Sequence, residues 1–63
     1  MRSTHKGVNY TVDAVRQPNG TFRWRFDALL NIRHGDMDLA TEDLAISIGR
    51  ERAIEYIDSQ VKS

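Results

Sequence analysis

The sequence predicts an α+β domain: a three-stranded antiparallel meander followed by one C-terminal helix packed on one sheet face, in the order β-β-β-α. Three observations predict it. Residues 21–32, TFRWRFDALLNI, carry Phe22, Trp24, Phe26, Ala28, Leu30 and Ile32 at every second position, with Arg23, Arg25 and Asp27 between them. That is the period of a half-buried strand. Residues 8–16 alternate in the same way, and from Thr41 onward the apolar residues return at helical spacing.

Residues 1–6 are polar and are expected to form a frayed, disordered tail. After Gly7, strand one directs Val8, Tyr10, Val12 and Ala14 to one side and Asn9, Thr11, Asp13 and Val15 to the other. Gln17-Pro18-Asn19-Gly20-Thr21 is a turn: Pro18 presets a negative φ, Asn19 suits the next position, and Gly20 supplies a left-handed residue. A three-residue loop pairs Gln17 with Thr21 and sets Ala14 opposite Trp24, Val12 opposite Phe26 and Tyr10 opposite Ala28. A two-residue Asn-Gly turn would bring Asp13 opposite Phe26 and spoil the apolar face, so the longer loop is preferred. On the other face the same register sets Asp13 opposite Arg25, as an exposed pair.

Strand two is expected to run to Ile32, with a turn at residues 33–36 and a short third strand at residues 37–40. Pairing Ile32 with Met37 and Leu30 with Leu39 would keep the apolar face continuous. Ala28-Leu29-Leu30 reads alternatively as a helical turn. Thr41 is a good N-cap, Glu42 and Asp43 suit the positive end of a helix dipole, and the helix should reach about Gln60, with Lys62 near its negative end. Ala45, Ile46, Gly49, Ala53, Tyr56, Ile57 and Val61 share one helix face, with Ile54 at its edge. Gly49 costs about 1 kcal/mol of helix propensity. Close packing of its backbone on Trp24 or Phe26 would explain it; a kink is the competing account.

With 63 residues the chain is one domain with a small core. It has no cysteine, hence no disulfide staple and no thiolate ligands, which raises the expectation of self-association or a bound partner. No stretch approaches a membrane span or a signal-peptide core, so a cytoplasmic protein is expected. Net charge is zero but unevenly spread. Residues 1–35 hold six cations against two carboxylates, and residues 36–63 three against seven. A dipolar surface of this kind steers charged partners or drives association.

The sequence raises three kinds of chemistry. His34, Asp36 and Asp38 are ligand types for a divalent cation, but a polar turn accounts for them, and the two carboxylates that would share the outer strand face, Asp36 and Asp38, have no third protein ligand evident. No nucleophile–base set, phosphate-cradling loop or enclosed pocket is legible, so neither an enzyme nor a cofactor or metal site is expected. The basic residues Arg23, Arg25 and Arg33, with Arg16 near the hairpin end, offer a nucleic-acid surface on the open sheet face. Trp24 and Phe26 are core by register, which removes the base-stacking version of that idea. The leading expectation is a non-catalytic module binding a protein partner or a second copy of itself. It rests on Val15 and Leu29 interrupting the charged sheet face and on Leu44 and Ile48 on the outer helix face.

Tyr10-Thr11-Val12, Asn19-Gly20-Thr21-Phe22, Phe26-Asp27, Gly35-Asp36 and Thr41-Glu42-Asp43-Leu44-Ala45 together cover most of the chain. In order and punctuation they resemble the N-terminal domain of HicB-like antitoxins and other small bacterial β-β-β-α proteins. The family's Phe-Pro-Asp stands here as Phe26-Asp27 without the proline, residues 37–40 are extra, and no C-terminal DNA-binding segment is expected among the 63 residues. The resemblance implies protein binding and self-association for such a domain.

Overall fold

A computed structural model describes residues 1–61, folded as four antiparallel strands and a helix. The strands are β1 (Arg2–His5), β2 (Val8–Arg16), β3 (Phe22–Ala28) and β4 (Asn31–His34), arranged in the sheet in chain order; α1 (Glu42–Gln60) lies across β2 and β3. The class is the expected one, with one strand more than the meander of three. The expectation for Lys62 lies outside the described residues.

The central hairpin has the predicted register. Ala14 faces Trp24, Val12 faces Phe26 and Tyr10 faces Ala28. The loop closes through Gln17 N–H on Thr21 O at 2.8 Å and Gly20 N–H on Gln17 O at 2.9 Å, with Gly20 at φ +85°. Asn19 Oδ1 accepts from the Thr21 N–H and hydroxyl, at 3.1 and 2.6 Å, locking the turn.

The first correction is at the start of the chain. Residues 2–5 are not a disordered tail but β1, paired along β2 from Arg2–Thr11 to His5–Val8. Lys6 and Gly7 form the two-residue turn, at φ +51° and +78°. Positive φ at both positions matches the twist of the flanking strands. The strand is anchored at both ends. Val12 N–H donates to Met1 O at 2.7 Å, while His5 Nε2 and Lys6 Nζ lie 2.7 and 3.1 Å from Asp58 Oδ1 on α1.

The second correction is the third strand. The chain reverses at Leu29–Leu30, not at residues 33–36, and the strand that pairs with β3 is Asn31–His34. Leu29 and Leu30 sit at φ +52° and +63°, a hairpin turn built without glycine, and no helical turn forms at residues 28–30. Residues 37–40 make no strand. Leu39 alone bridges Phe22, with Leu39 N–H on Phe22 O at 2.7 Å and Phe22 N–H on Leu39 O at 2.8 Å. Continuing the β3–β4 register would bring Met37 opposite Phe22; Leu39 takes that place, so residues 35–38 bulge outward. Gly35 sits under the Trp24 indole, where a Cβ would lie 2.7 Å from Trp24 Cδ1.

The core is Tyr10, Val12, Phe26 and Ala28 from the sheet with Ala53 and Ile57 from the helix, extended by Leu39 and Ala45. The buried row on α1 is Ala45, Gly49, Ala53, Ile57, three small residues and then a large one. Gly49 has the role expected of it: a Cβ there would lie 2.7 Å from Val12 Cγ1 and 3.0 Å from Trp24 Cβ. The helix backbone therefore rests on the sheet at that point. Thr41 caps the helix, its Oγ1 accepting from Leu44 N–H at 3.1 Å. No helix among the described residues is long and apolar enough to cross a membrane.

Candidate interaction site

The β3–β4 hairpin gathers the most exposed apolar side chains of the sheet. Leu30 is 102% exposed and Ile32 48%, and Leu29 is also exposed at the turn. An L-residue at positive φ costs roughly 1–2 kcal/mol, because its Cβ crowds the following carbonyl. Asn or Gly is the usual solution. Two leucines carry this conformation here, and Leu30 gains no burial from it. Asn31 partly offsets the strain: its Nδ2 donates to Leu29 O at 3.0 Å and to Tyr56 Oη at 2.9 Å.

β4 is also a sheet edge. Gly35 N–H points inward to Trp24 O at 2.9 Å. Strand alternation then turns Arg33 and Asn31 inward as well, and leaves the N–H and C=O groups of Ile32 and His34 facing outward. The site is thus an unpaired strand edge with a strained apolar tip.

The structure disperses the four apolar residues singled out in the sequence. Leu29 is at this tip, beside the Lys6–Gly7 turn end of the sheet. Val15 is exposed on the open sheet face toward the other end, opposite Arg23. Leu44 is exposed in the first turn of α1, and Ile48 is half-buried one turn on. They form no single patch. Leu30 and Ile32, both assigned to the core face by the sequence, belong to the site instead. The signal that could have found them is Asn31, a turn-flanking residue just after two apolar ones.

The arginines divide as well. Arg23 and Arg25 lie on the open face, joined by Arg2 through its pairing with Thr11. Arg33 does not lie there: it is opposite Phe26, on the helix side, with its guanidinium carbon 5.4 Å from the Tyr56 ring centroid. The reversal at Leu29–Leu30, rather than at residues 33–36, is what turns it to the helix side. Arg16, opposite Phe22, has helix-side parity at the hairpin end. Arg23 Nε donates to Asp38 Oδ1 at 2.9 Å, and Asn19 Nδ2 donates to Asp38 Oδ2 at 3.2 Å. These two bonds, Arg23's first, hold the Asp38 carboxyl below the usual carboxylate range. Asp13 is opposite Arg25 as expected, but its nearest cation is the Met1 amino group at 3.9 Å. Asp58 is likewise held low, by the hydrogen bond with His5 and then that with Lys6.

With Asp38 turned toward Arg23 and Asn19, the His34, Asp36 and Asp38 set is not brought together. Among the described residues no three His, Asp or Glu side chains are placed to share a cation. Comparison with family models, curated proteins and solved structures finds no match for the chain.

Proposed function

We propose that this chain is a small, non-catalytic interaction module of the cytoplasm that binds a second copy of itself along the free edge of β4. The observation that carries the reading is the hairpin tip. Two leucines hold an unfavourable backbone conformation, Leu30 with no return in burial, directly beside an unpaired strand. Strain of this kind persists where a function requires it. A second chain would supply both the missing hydrogen bonds and the missing apolar contact.

Self-pairing has a preferred register. Two β4 strands related by a two-fold axis through Ile32 place each Ile32 against its symmetry mate on the open face, and each Arg33 against the other copy's Asn31. Ile32 and His34 then use their outward backbone groups. The neighbouring two-fold register would oppose Arg33 to Arg33, and like charges directly opposite are unfavourable. The arrangement is isologous and joins the two sheets edge to edge. The sequence resemblance to HicB-like N-terminal domains points the same way, toward self-association.

Ile32→Cys tests this directly, since the chain has no other thiol. Residues paired by hydrogen bonds across antiparallel strands lie about 5.5 Å apart at Cα, within disulfide range. Mild oxidation is expected to give a covalent dimer, and Met37→Cys, on the bulge, is not. A wild-type chain that sediments as a monomer at millimolar concentration, with both cysteine variants cross-linking alike, removes the proposal. The alternative nucleic-acid reading uses Arg2, Arg23 and Arg25 on the open face; salt-dependent retardation of duplex DNA, lost in Arg25→Ala, would favour it.

A further inference from the structure

A second feature is complete within one copy. Between α1 and β4 runs an open groove of about 390 Å³, lined by Trp24, Phe26, Arg33, Arg52, Glu55 and Tyr56, with His34 and Ser59 at its margin. Its volume is within the range of small-ligand sites, roughly 300–1,000 Å³. Trp24 and Phe26 are stacked, with centroids 5.6 Å apart and planes 10° apart, and Tyr56 tilts against Phe26 at 5.7 Å. The three aromatic rings thus pack in one run, in which Phe26 is buried as backing while Trp24 and Tyr56 remain half-buried and face the groove.

The charges around that surface are unbalanced. Arg33 makes no ion pair among the described residues; its guanidinium lies over Tyr56, whose hydroxyl is fixed by Asn31 at 2.9 Å. Among the described residues Arg52 has one carboxylate partner, Glu55 at 3.5 Å, with both side chains more than half exposed. An exposed pair of that length is worth little and exchanges readily. The groove therefore offers ring faces for a flat apolar body and two planar, fork-shaped donors suited to a phosphate or carboxylate.

We infer that this groove binds a small ligand made of a planar aromatic ring bearing an anionic group. The ring lies against the exposed parts of Trp24 and Tyr56, which the buried Phe26 backs, and the anion is held by Arg33 and Arg52. The proposal does not depend on self-association.

Trp24 is the single tryptophan of the chain, so its fluorescence reports on the groove alone. Four probes separate the contributions: adenosine monophosphate, adenosine, inorganic phosphate and benzoate. Saturable change is expected with adenosine monophosphate, with adenosine and phosphate each at least roughly tenfold weaker. Benzoate binding as well as the nucleotide assigns the anion to a carboxylate, and weaker benzoate binding assigns it to a phosphate. Arg33→Ala and, separately, Arg52→Gln should each weaken binding of the better anion roughly tenfold. Both positions are exposed, and unchanged thermal unfolding would confirm that the variants are folded. Absence of saturation with all four probes overturns the proposal. So does binding of adenosine equal to that of its monophosphate and insensitive to both substitutions.

Discussion

Replacing Leu29 and Leu30 together by Asn and Gly should make the isolated chain more stable and abolish its association. Each leucine at positive φ costs roughly 1–2 kcal/mol, so the pair stores about 2–4 kcal/mol. Asn tolerates the left-handed region and Gly occupies it freely, although Gly adds about 0.5–1 kcal/mol of unfolded-state entropy. A net gain of about 1–3 kcal/mol remains. For a domain of this size each kcal/mol moves Tm by about 4–8 °C, so a rise of about 5–20 °C is expected. The measurement is thermal unfolding at a concentration where the wild type is monomeric, because dimerisation itself raises Tm by mass action. Sedimentation at high concentration then reads association. A Tm that stays level or falls would show that the turn is not strained. A Tm that rises while the dimer persists would show that strain and association are unrelated, and would sink the reading of the tip as part of the interface.

Three further outcomes are expected. Gly49→Ala should destabilise by up to about 2 kcal/mol in denaturant titration: overpacking against the buried Val12 methyl, about 1–3 kcal/mol, outweighs a propensity gain of about 1 kcal/mol. An increase in stability would mean that the helix can lift from the sheet without loss. Thr41→Ala should lose about 1 kcal/mol, read as a lower denaturation midpoint at unchanged m-value, through the uncapped Leu44 N–H. Asp38 and Asp58 both have folded-state values below the ordinary 3.8. The unfolded chain therefore takes up these protons first as pH falls. Their contribution is complete above about pH 4 and is lost as pH drops through the depressed folded values. Asp38→Asn with Asp58→Asn should flatten the fall of Tm between pH 4 and pH 2. An unaltered acid profile would refute the assignment.

The parts of the fold that were legible in the sequence are those written in strong local chemistry. Pro18-Asn19-Gly20 and the unbroken alternation of β2 and β3 define the hairpin and its register down to individual pairs. Thr41 announces the helix, and the row Ala45, Gly49, Ala53 announces its close approach to the sheet. β1 is not legible, because Ser3 and His5 carry no apolar signal. Its support comes from β2 and from Asp58, a residue 53 positions away from His5. The Lys6-Gly7 dipeptide was the available clue. The Leu29–Leu30 reversal has no turn residue at its centre, so propensity reads it as strand, which places Ile32 and Arg33 each on the opposite face from the one it occupies, and Leu30 on the core face rather than at the turn. The candidate groove was illegible for the same reason: Arg33 meets Tyr56 only once β4 begins at Asn31.

The bulge at residues 35–38 has a consequence for growth. A sheet with two bare edges can extend without limit, the first strand of one molecule adding to the last strand of the next. Fibre-forming segments are typically about six or seven residues long. Here the straight free edge ends at His34, because the chain then turns out through Gly35 and Asp36 and is tied back by Asp38 to Arg23 and Asn19. β1 at the opposite border is also four residues long, with the turn beyond it held to α1 through Asp58. Edges this short can seat one partner but give a propagating stack little to nucleate on, so the polypeptide can expose a sticky strand at high concentration and still stay out of fibrils.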